Sequence, residues 1–175
     1  MKRPVRACVF DAYGTLFDVH SAIRAMADQV GPHADDLSKL WRTKQLEYTW
    51  VRSLAGRHAD FREITADALD FSMAFFKINN NGLRENLLSL YQSLAAFPEV
   101  SGALRALKSG GFRLAILSNG TADWLSVAIR AAGIGELLDA VWSVEEVGIF
   151  KPDPKVYRIA TRGLAMDAAE IGFVS

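Results

Sequence analysis

The sequence predicts an α/β fold, a Rossmann-like doubly wound parallel sheet with an inserted helical cap subdomain. Two observations support this prediction. Four short apolar segments alternate with helical segments, which is typical of a parallel sheet whose strands are joined by helices. Residues 18–97 interrupt the alternation and contain no strand pattern. We therefore assign residues 1–17 and 98–175 to the sheet-bearing core and residues 18–97 to the cap.

The four strands are predicted from short apolar runs bounded by turn-forming residues. They are residues 4–10, 114–117, 140–144 and 171–175. In a parallel sheet the carboxyl ends of these strands lie at one edge, where open α/β sheets bind their ligands.

The helices of the core have recognisable start and stop residues. VSGALRALKSGG ends in two glycines, which suit the end of a helix. The next helix is expected to have Thr121 as its N-cap and to end at Gly133. In KPDPKVYRIATRGL, Asp153 is the expected N-cap and Pro154 the first helical residue.

The cap is predicted to contain four helices, at about residues 21–30, 35–56, 60–77 and 83–96. The insertion is expected to cover the carboxyl ends of the strands as a lid. On its second helix, an apolar stripe at helical spacing is expected to pack inward: Leu37, Leu40, Trp41, Tyr48, Val51, Leu54 and Ala55. A neighbouring face carries Arg42, Gln45, Leu46 and Thr49.

Composition limits the possible partners. Half of the 175 residues are hydrophobic and the formal net charge is zero, so no global positive field draws nucleic acid or an anionic membrane to the protein. Cys8 is the single cysteine and is expected to be a core thiol. No apolar run reaches membrane-spanning length and no signal-peptide pattern precedes Asp11, so we expect a cytoplasmic protein.

Polar side chains follow each predicted strand. Asp11 follows the first, Ser118 and Asn119 follow the second, Lys151 lies beyond the third, and Ser175 ends the fourth. A carboxylate, a hydroxyl, an amide and an ammonium group around one crevice form a site for a charged nucleophile and an anionic substrate. By their residue types alone, SNG at 118–120 also fits an ordinary turn and Lys151 a solvated charge.

Four motifs in order resemble one known group of enzymes. DAYGTLFD, LAILSNG and FKPDPKVY resemble the first three motifs of the haloacid dehalogenase superfamily. WRTKQLEYTWVRSL resembles the cap of the L-2-haloacid dehalogenases. The resemblance implies hydrolysis of short (S)-2-haloalkanoic acids to (R)-2-hydroxyacids and halide through an aspartyl ester. It also implies that the protein is a homodimer. The only other binding partner expected is the small-molecule 2-haloacid substrate, with no nucleic acid and no membrane.

Tyr13 distinguishes this chain from the superfamily's phosphatases, which carry a second aspartate at that position and use Mg²⁺. A halide leaves as an anion and needs no proton, so the second carboxylate is dispensable. We therefore expect no metal and no cofactor.

The resemblance also implies roles for individual residues. Asp11 is the nucleophile, Lys151 holds it ionised and helps to bind substrate, and the Thr15 hydroxyl orients its carboxylate. Ser118 binds the substrate carboxylate and Asn119 donates to the departing halide.

Further site residues follow from the same resemblance, although Arg42 by itself would be an ordinary exposed arginine and Tyr157 a core residue. Arg42 receives the halide, and Tyr157 and Ser175 join the catalytic set. The remaining substrate-binding residues are Ala12, Tyr13, Leu46 and Phe61, whereas Trp50 is expected in the core.

The chain ends at GFVS, whereas the superfamily's pattern continues with an asparagine, an aspartate and a further strand. We therefore expect a C-terminally truncated chain whose fourth strand has an uncovered edge. Two alternatives follow: a non-catalytic remnant, and a Mg²⁺-dependent phosphatase of the same superfamily. Halide release would distinguish the three.

Overall fold

The computed structural model describes residues 4–175, which form two compact units. The core unit comprises the described residues up to Asp18 together with Ala95–Ser175, and the helical unit is Val19–Leu94. The sequence placed these divisions at 17/18 and 97/98, and residues 1–3 of its predicted core lie outside the described residues.

The core unit contains a parallel sheet, and the predicted fold class is confirmed. Its strands are β1 (Ala7–Phe10), β2 (Arg113–Ser118), β3 (Ala140–Ser143) and β4 (Ile171–Val174), in the order β3-β2-β1-β4. Regular pairing begins at Ala7, not at residue 4 as predicted, and Pro4 has no N–H to offer a ladder.

Three helices of the core unit lie between the strands along the chain. They are α6 (Val100–Ser109), α7 (Ala122–Ala131) and α8 (Pro154–Leu164). The Asp153 carboxylate accepts a 2.7 Å hydrogen bond from Lys155 N, and Pro154 opens α8 as predicted.

The predicted start of α7 is only partly correct. Thr121 is its N-cap residue, but the hydroxyl makes no capping bond and is buried without a hydrogen-bond partner among residues 4–175. Gly133, with φ +63°, lies just beyond the helix end as predicted, in a conformation that glycine adopts readily.

The helical unit, all of which is described, contains five helices where four were predicted. They are α1 (Ser21–Ala25), α2 (Ala27–Val30), α3 (Ala34–Leu54), α4 (Phe61–Phe75) and α5 (Asn81–Tyr91). The predicted helix over 21–30 is broken at Met26, whose backbone (φ −119°, ψ 16°) departs from helical geometry. Side chains cap two of the later helices: Asp60 accepts from Glu63 N at 2.9 Å, and Asn80 from Leu83 N at 3.0 Å.

The apolar stripe predicted on α3 is correct only in its first half. Leu37 and Trp41 are buried, whereas Val51 and Leu54 are 61% and 90% exposed. Trp50, which was expected in the core, is 48% exposed. The buried side of α3 instead consists of Leu37, Ser38, Trp41, Gln45 and Thr49. Polar side chains lie on it because hydrogen bonds within the helical unit satisfy them.

Cys8 is half-buried, and the expected core position is wrong. It lies in β1 opposite Gly172 of β4, which has no side chain to cover it. Partial burial raises the pKa of its thiol. Within residues 4–175, no helix is both long and apolar enough to cross a membrane.

Candidate active site

The turn after β1 holds Asp11 at the end of the strand. Its backbone N–H donates to Val174 O at 2.8 Å, which extends the β1–β4 pairing by one step. The chain then reverses: Gly14 has φ +98°, and Leu16 N donates to Ala12 O at 2.9 Å. The carboxylate therefore stands where the apolar strand stops.

Asp11 and Lys151 form a close ion pair although 140 residues separate them. Lys151 Nζ lies 2.5 Å from Asp11 Oδ1 and also donates to Leu117 O at 3.1 Å. The Asp11 side chain is only 14% exposed and the Lys151 side chain only 11%. A charge so poorly hydrated is tolerated because its partner is held in hydrogen-bonding geometry.

The loop after β2 presents hydrogen-bond donors. Ser118, which is fully buried, accepts a hydrogen bond at Oγ from Gly120 N at 3.0 Å. Asn119 Oδ1 accepts from Lys151 N at 3.1 Å. With these acceptor atoms engaged, the Ser118 hydroxyl proton and the Asn119 amide protons are available to a ligand. Such a pair of donors suits an anion.

Tyr13 occupies the position where a second carboxylate would lie in a phosphatase. Its ring is buried against the backbone of Gly120, and a methyl group added at Gly120 would collide with it. Tyr13 was predicted from the sequence, whereas the role of Gly120 was not, because SNG indicates only a turn. The close approach of ring and backbone requires the glycine.

Two aromatic rings adjoin the Lys151 side chain. Phe173 of β4 lies with its ring centroid 5.4 Å from Lys151 Nζ, and Tyr157 meets Phe173 edge-on at 5.3 Å. Burial, and secondarily the negative charge of Asp11, raises the pKa of the Tyr157 hydroxyl. Tyr157 is thus a neutral hydrogen-bond donor at neutral pH. Phe173 was missed, because an aromatic residue in an apolar strand pattern carries no signal of site proximity.

Three other predicted core residues have different environments. Ala12 is fully buried, and Ser175 is exposed and follows Val174, which pairs with Phe10. Thr15 lies in the turn, and among the described residues its hydroxyl makes no hydrogen bond to Asp11, so its orienting role stays a prediction. The bond to the carboxylate that the structure does show comes from Lys151.

Three predicted site residues, Arg42, Leu46 and Phe61, belong to the helical unit. Arg42 is half-buried, and its Nη1 donates to Gln45 Oε1 at 2.8 Å. Phe61 is almost fully buried at the start of α4. Leu46 is half-buried, and its carbonyl accepts from Thr49 Oγ1 at 2.7 Å. The sequence placed Gln45 beside Arg42 but did not indicate that it is buried.

The core site combines one nucleophile with donors and one cation. A carboxylate beside an ammonium can attack an electrophilic carbon, and the neighbouring donors can bind an anionic substrate. In the described part of the chain, no group of three or more His, Cys, Asp or Glu side chains is arranged to hold a metal ion.

Comparisons with known proteins agree with this chemistry. The sequence pattern of the haloacid dehalogenase-like hydrolases matches residues 5–175. (S)-2-haloacid dehalogenase 1 of Pseudomonas sp. (strain CBS-3) is 49% identical over 173 residues, covering 98% of this chain and 76% of that protein.

Solved structures are similar too. A dehalogenase crystal structure superposes with a TM-score of 0.96 at 45% identity, covering 98% of this chain and 76% of that one. The L-2-haloacid dehalogenase from Xanthobacter autotrophicus, with chloropropionic acid covalently bound, gives a TM-score of 0.89 at 35% identity and covers 97% and 69% of the two chains.

Proposed function

Because the chain belongs to the haloacid dehalogenase-like hydrolase family, we propose that it is an (S)-2-haloacid dehalogenase. The observation that carries this proposal is the buried Asp11–Lys151 pair at the end of β1, with Tyr13 in place of a second carboxylate. The site offers a nucleophile and anion-binding donors, and displacement of halide needs both. The substrates are short 2-haloalkanoic acids, and the products are (R)-2-hydroxyacids and halide.

In the first step, a carboxylate oxygen of Asp11 attacks C2 of the substrate from the side opposite the halogen. The new C–O bond forms while the C–X bond breaks, and the halide leaves with the bonding electrons. The configuration at C2 inverts once. Ser118 binds the substrate carboxylate, and its buried hydroxyl proton supports this role.

In the second step, water attacks the carboxyl carbon of the Asp11 ester. The acyl–oxygen bond breaks and the 2-hydroxyacid leaves, so that C2 is not touched again. The carboxylate of Asp11 is restored and one proton is released. Lys151 stays beside the reacting group throughout, while Tyr157 and Ser175 complete the catalytic set, with Thr15 in the turn behind the nucleophile.

The departing halide is received by Arg42 and Asn119. A fixed guanidinium contributes most when negative charge has developed on the halogen, so it stabilises the transition state more than bound substrate. Ala12, Tyr13, Leu46 and Phe61 contact the short carbon chain; the burial of Phe61 and Tyr13 supports an apolar lining.

Halide release by the purified protein tests the activity, and isotope labelling tests the route. In a single turnover in ¹⁸O water, the label is expected in Asp11 and not in the product. Asp11→Asn is expected to lose sustained turnover, whereas Asp36→Asn, at an exposed aspartate in the first turn of α3, is the matched control. Label appearing first in the product would contradict the ester intermediate.

We also propose that the reaction needs no metal or cofactor. Replacement of the second carboxylate by Tyr13 supports this, because one carboxylate fewer is available to bind a cation. Turnover after dialysis against a chelator should equal turnover with added Mg²⁺. A return of activity that depends on Mg²⁺ would refute it.

We propose further that the protein is a cytoplasmic homodimer. Trp50, Val51 and Leu54 expose apolar surface near the end of α3, which is typical of an interaction surface. Light scattering of the purified protein should give twice the chain mass, and Leu54→Lys should reduce it to one. A monomer at micromolar concentration would contradict the dimer, and activity confined to a membrane or secreted fraction would contradict the location.

A further inference from the structure

Three polar side chains are buried between α3, α4 and α5. Gln45 and Thr65 have no exposed surface, and Tyr91 is 2% exposed. Burying an amide or hydroxyl without a partner is unfavourable, so such groups are normally hydrogen-bonded. Here they bond to one another: Gln45 Nε2 lies 2.6 Å from Thr65 Oγ1, and Tyr91 donates to Gln45 Oε1 at 3.1 Å.

The network has one consistent direction, and it begins at Arg42. The Arg42 guanidinium only donates, so Gln45 must present its oxygen to it. Gln45 therefore donates through Nε2 to Thr65 Oγ1, and the Thr65 hydroxyl donates in turn to the Phe61 carbonyl at 2.6 Å. Because the last group only accepts and the first only donates, no side chain in this series can be reversed without losing a bond.

The rest of the helical unit holds the network in place. Trp41 Nε1 donates to Thr65 O at 2.8 Å, and the Trp41 and Tyr91 rings meet at 4.9 Å. These contacts hold the Gln45 side chain in place, and its Oε1 is the oxygen to which Arg42 donates. A half-buried arginine is thereby held at one nitrogen by a rigid acceptor.

We propose that Gln45, held by Thr65 and Tyr91, is a positioning residue that fixes the Arg42 guanidinium for halide departure. The inference rests on the proposed function, since it gives Arg42 its role. A purely structural network would stabilise the helices without affecting the leaving group. A positioning network affects how strongly the rate depends on the halogen, because a misplaced guanidinium stabilises the growing charge less.

The test compares 2-chloropropionate with 2-bromopropionate. In Gln45→Met, which is similar in size but has no acceptor for Arg42, we expect kcat for the chloride to fall about tenfold or more, because a displacement of about 1 Å can cost on the order of 10²-fold. Bromide is a better leaving group and needs less stabilisation, so the bromo-to-chloro ratio of kcat should rise. Gln45→Glu keeps an acceptor for Arg42 but loses the bond to Thr65, so it should restore only part of the chloride rate.

Two comparisons exclude a general loss of structure. Gln29→Met, at an exposed glutamine of α2 in the same unit, should leave both rates and their ratio unchanged. In an Arg42→Ala background, Gln45→Met should change kcat less than twofold, because interacting groups are non-additive. If Gln45→Met does not fold, the near-isosteric Thr65→Val and Tyr91→Phe loosen Gln45 from its other side and should shift the ratio in the same direction.

An unchanged halogen ratio in a folded Gln45→Met protein would overturn the proposal, as would an undiminished effect in the Arg42→Ala background. A spectroscopic measurement tests the positioning of Arg42 independently of the proposed activity. In ¹⁵N spectra of the intact protein, the Arg42 guanidinium should rotate slowly in the wild type and fast in Gln45→Met. Fast rotation in the wild type would refute the positioning, whereas absence of halide release by a wild type with slow rotation would refute only the proposed activity.

Discussion

A substitution at Gly120 tests whether the Tyr13 ring is part of the site. In Gly120→Ala the added methyl group would overlap Tyr13 Cε2 and would lie 3.1 Å from the Tyr13 hydroxyl oxygen. The Tyr13 ring is 2% exposed, and its centroid lies 6.3 Å from that of the Phe17 ring, so the ring can shift only a little. Overpacking of this kind costs typically 1–3 kcal/mol, and we expect Gly120→Ala to lower the free energy of unfolding by about that amount.

The same strain should also lower kcat/KM. Gly120 N also donates to Ser118 Oγ, so a displaced backbone moves the proposed substrate-binding hydroxyl together with the ring. If about half of the strain, about 1 kcal/mol, is expressed in the transition state, kcat/KM falls about fivefold. Urea unfolding and steady-state halide release measure the two effects on one preparation.

Gly163 provides the matched control. A methyl group there would collide with the Trp142 ring, an overlap as severe as that at Gly120 but with a residue that has no proposed role in the site. Gly163→Ala should therefore destabilise the protein to a similar degree while kcat/KM stays unchanged. Equal kinetic losses in the two variants, or none in Gly120→Ala, would refute the reasoning.

Three more predictions concern single side chains. Arg42→Ala should lower kcat by about 10²-fold, because loss of one donor to developing charge costs on the order of 10²–10³-fold; a raised KM with unchanged kcat would instead make it a binding residue only. The hydrogen bond from Lys108, and to a lesser degree the one from Leu114 N, lowers the pKa of Asp139. Its contribution to stability should therefore be present above the usual aspartate pKa of about 3.9 and be lost as the pH falls through the lower folded value. Asp139→Asn should therefore be less stable than the wild type at neutral pH, and chemical unfolding should show the difference shrinking in acid; a constant difference would contradict this sign. Gly102→Ala in α6, where a methyl group meets nothing within 4 Å, should raise the free energy of unfolding by up to about 1 kcal/mol, and thermal unfolding checks it.

The core of the candidate site could be predicted because its positions follow from local patterns. Apolar runs end at Asp11 and Ser118, and parallel pairing brings such ends to one edge. The contact between Asp11 and Lys151, 140 residues apart, could be anticipated only through the resemblance. Phe173 and Gly120 were not anticipated as neighbours of Lys151 and Tyr13, because nothing in their local sequence distinguishes them from ordinary strand and turn residues.

By itself, the sequence determined the alternation of strands and helices, the end of each strand to within one residue and the residue types found there, since these depend on short-range periodicity and turn chemistry. Only the tertiary structure decided which face of α3 is buried. Periodicity groups Val51 with Leu54, and Gln45 with Arg42, but it does not say which group a neighbouring helix covers. The buried face includes Gln45 because Thr65 of α4 and Tyr91 of α5 satisfy its amide, and those partners lie 20 and 46 residues away in the chain.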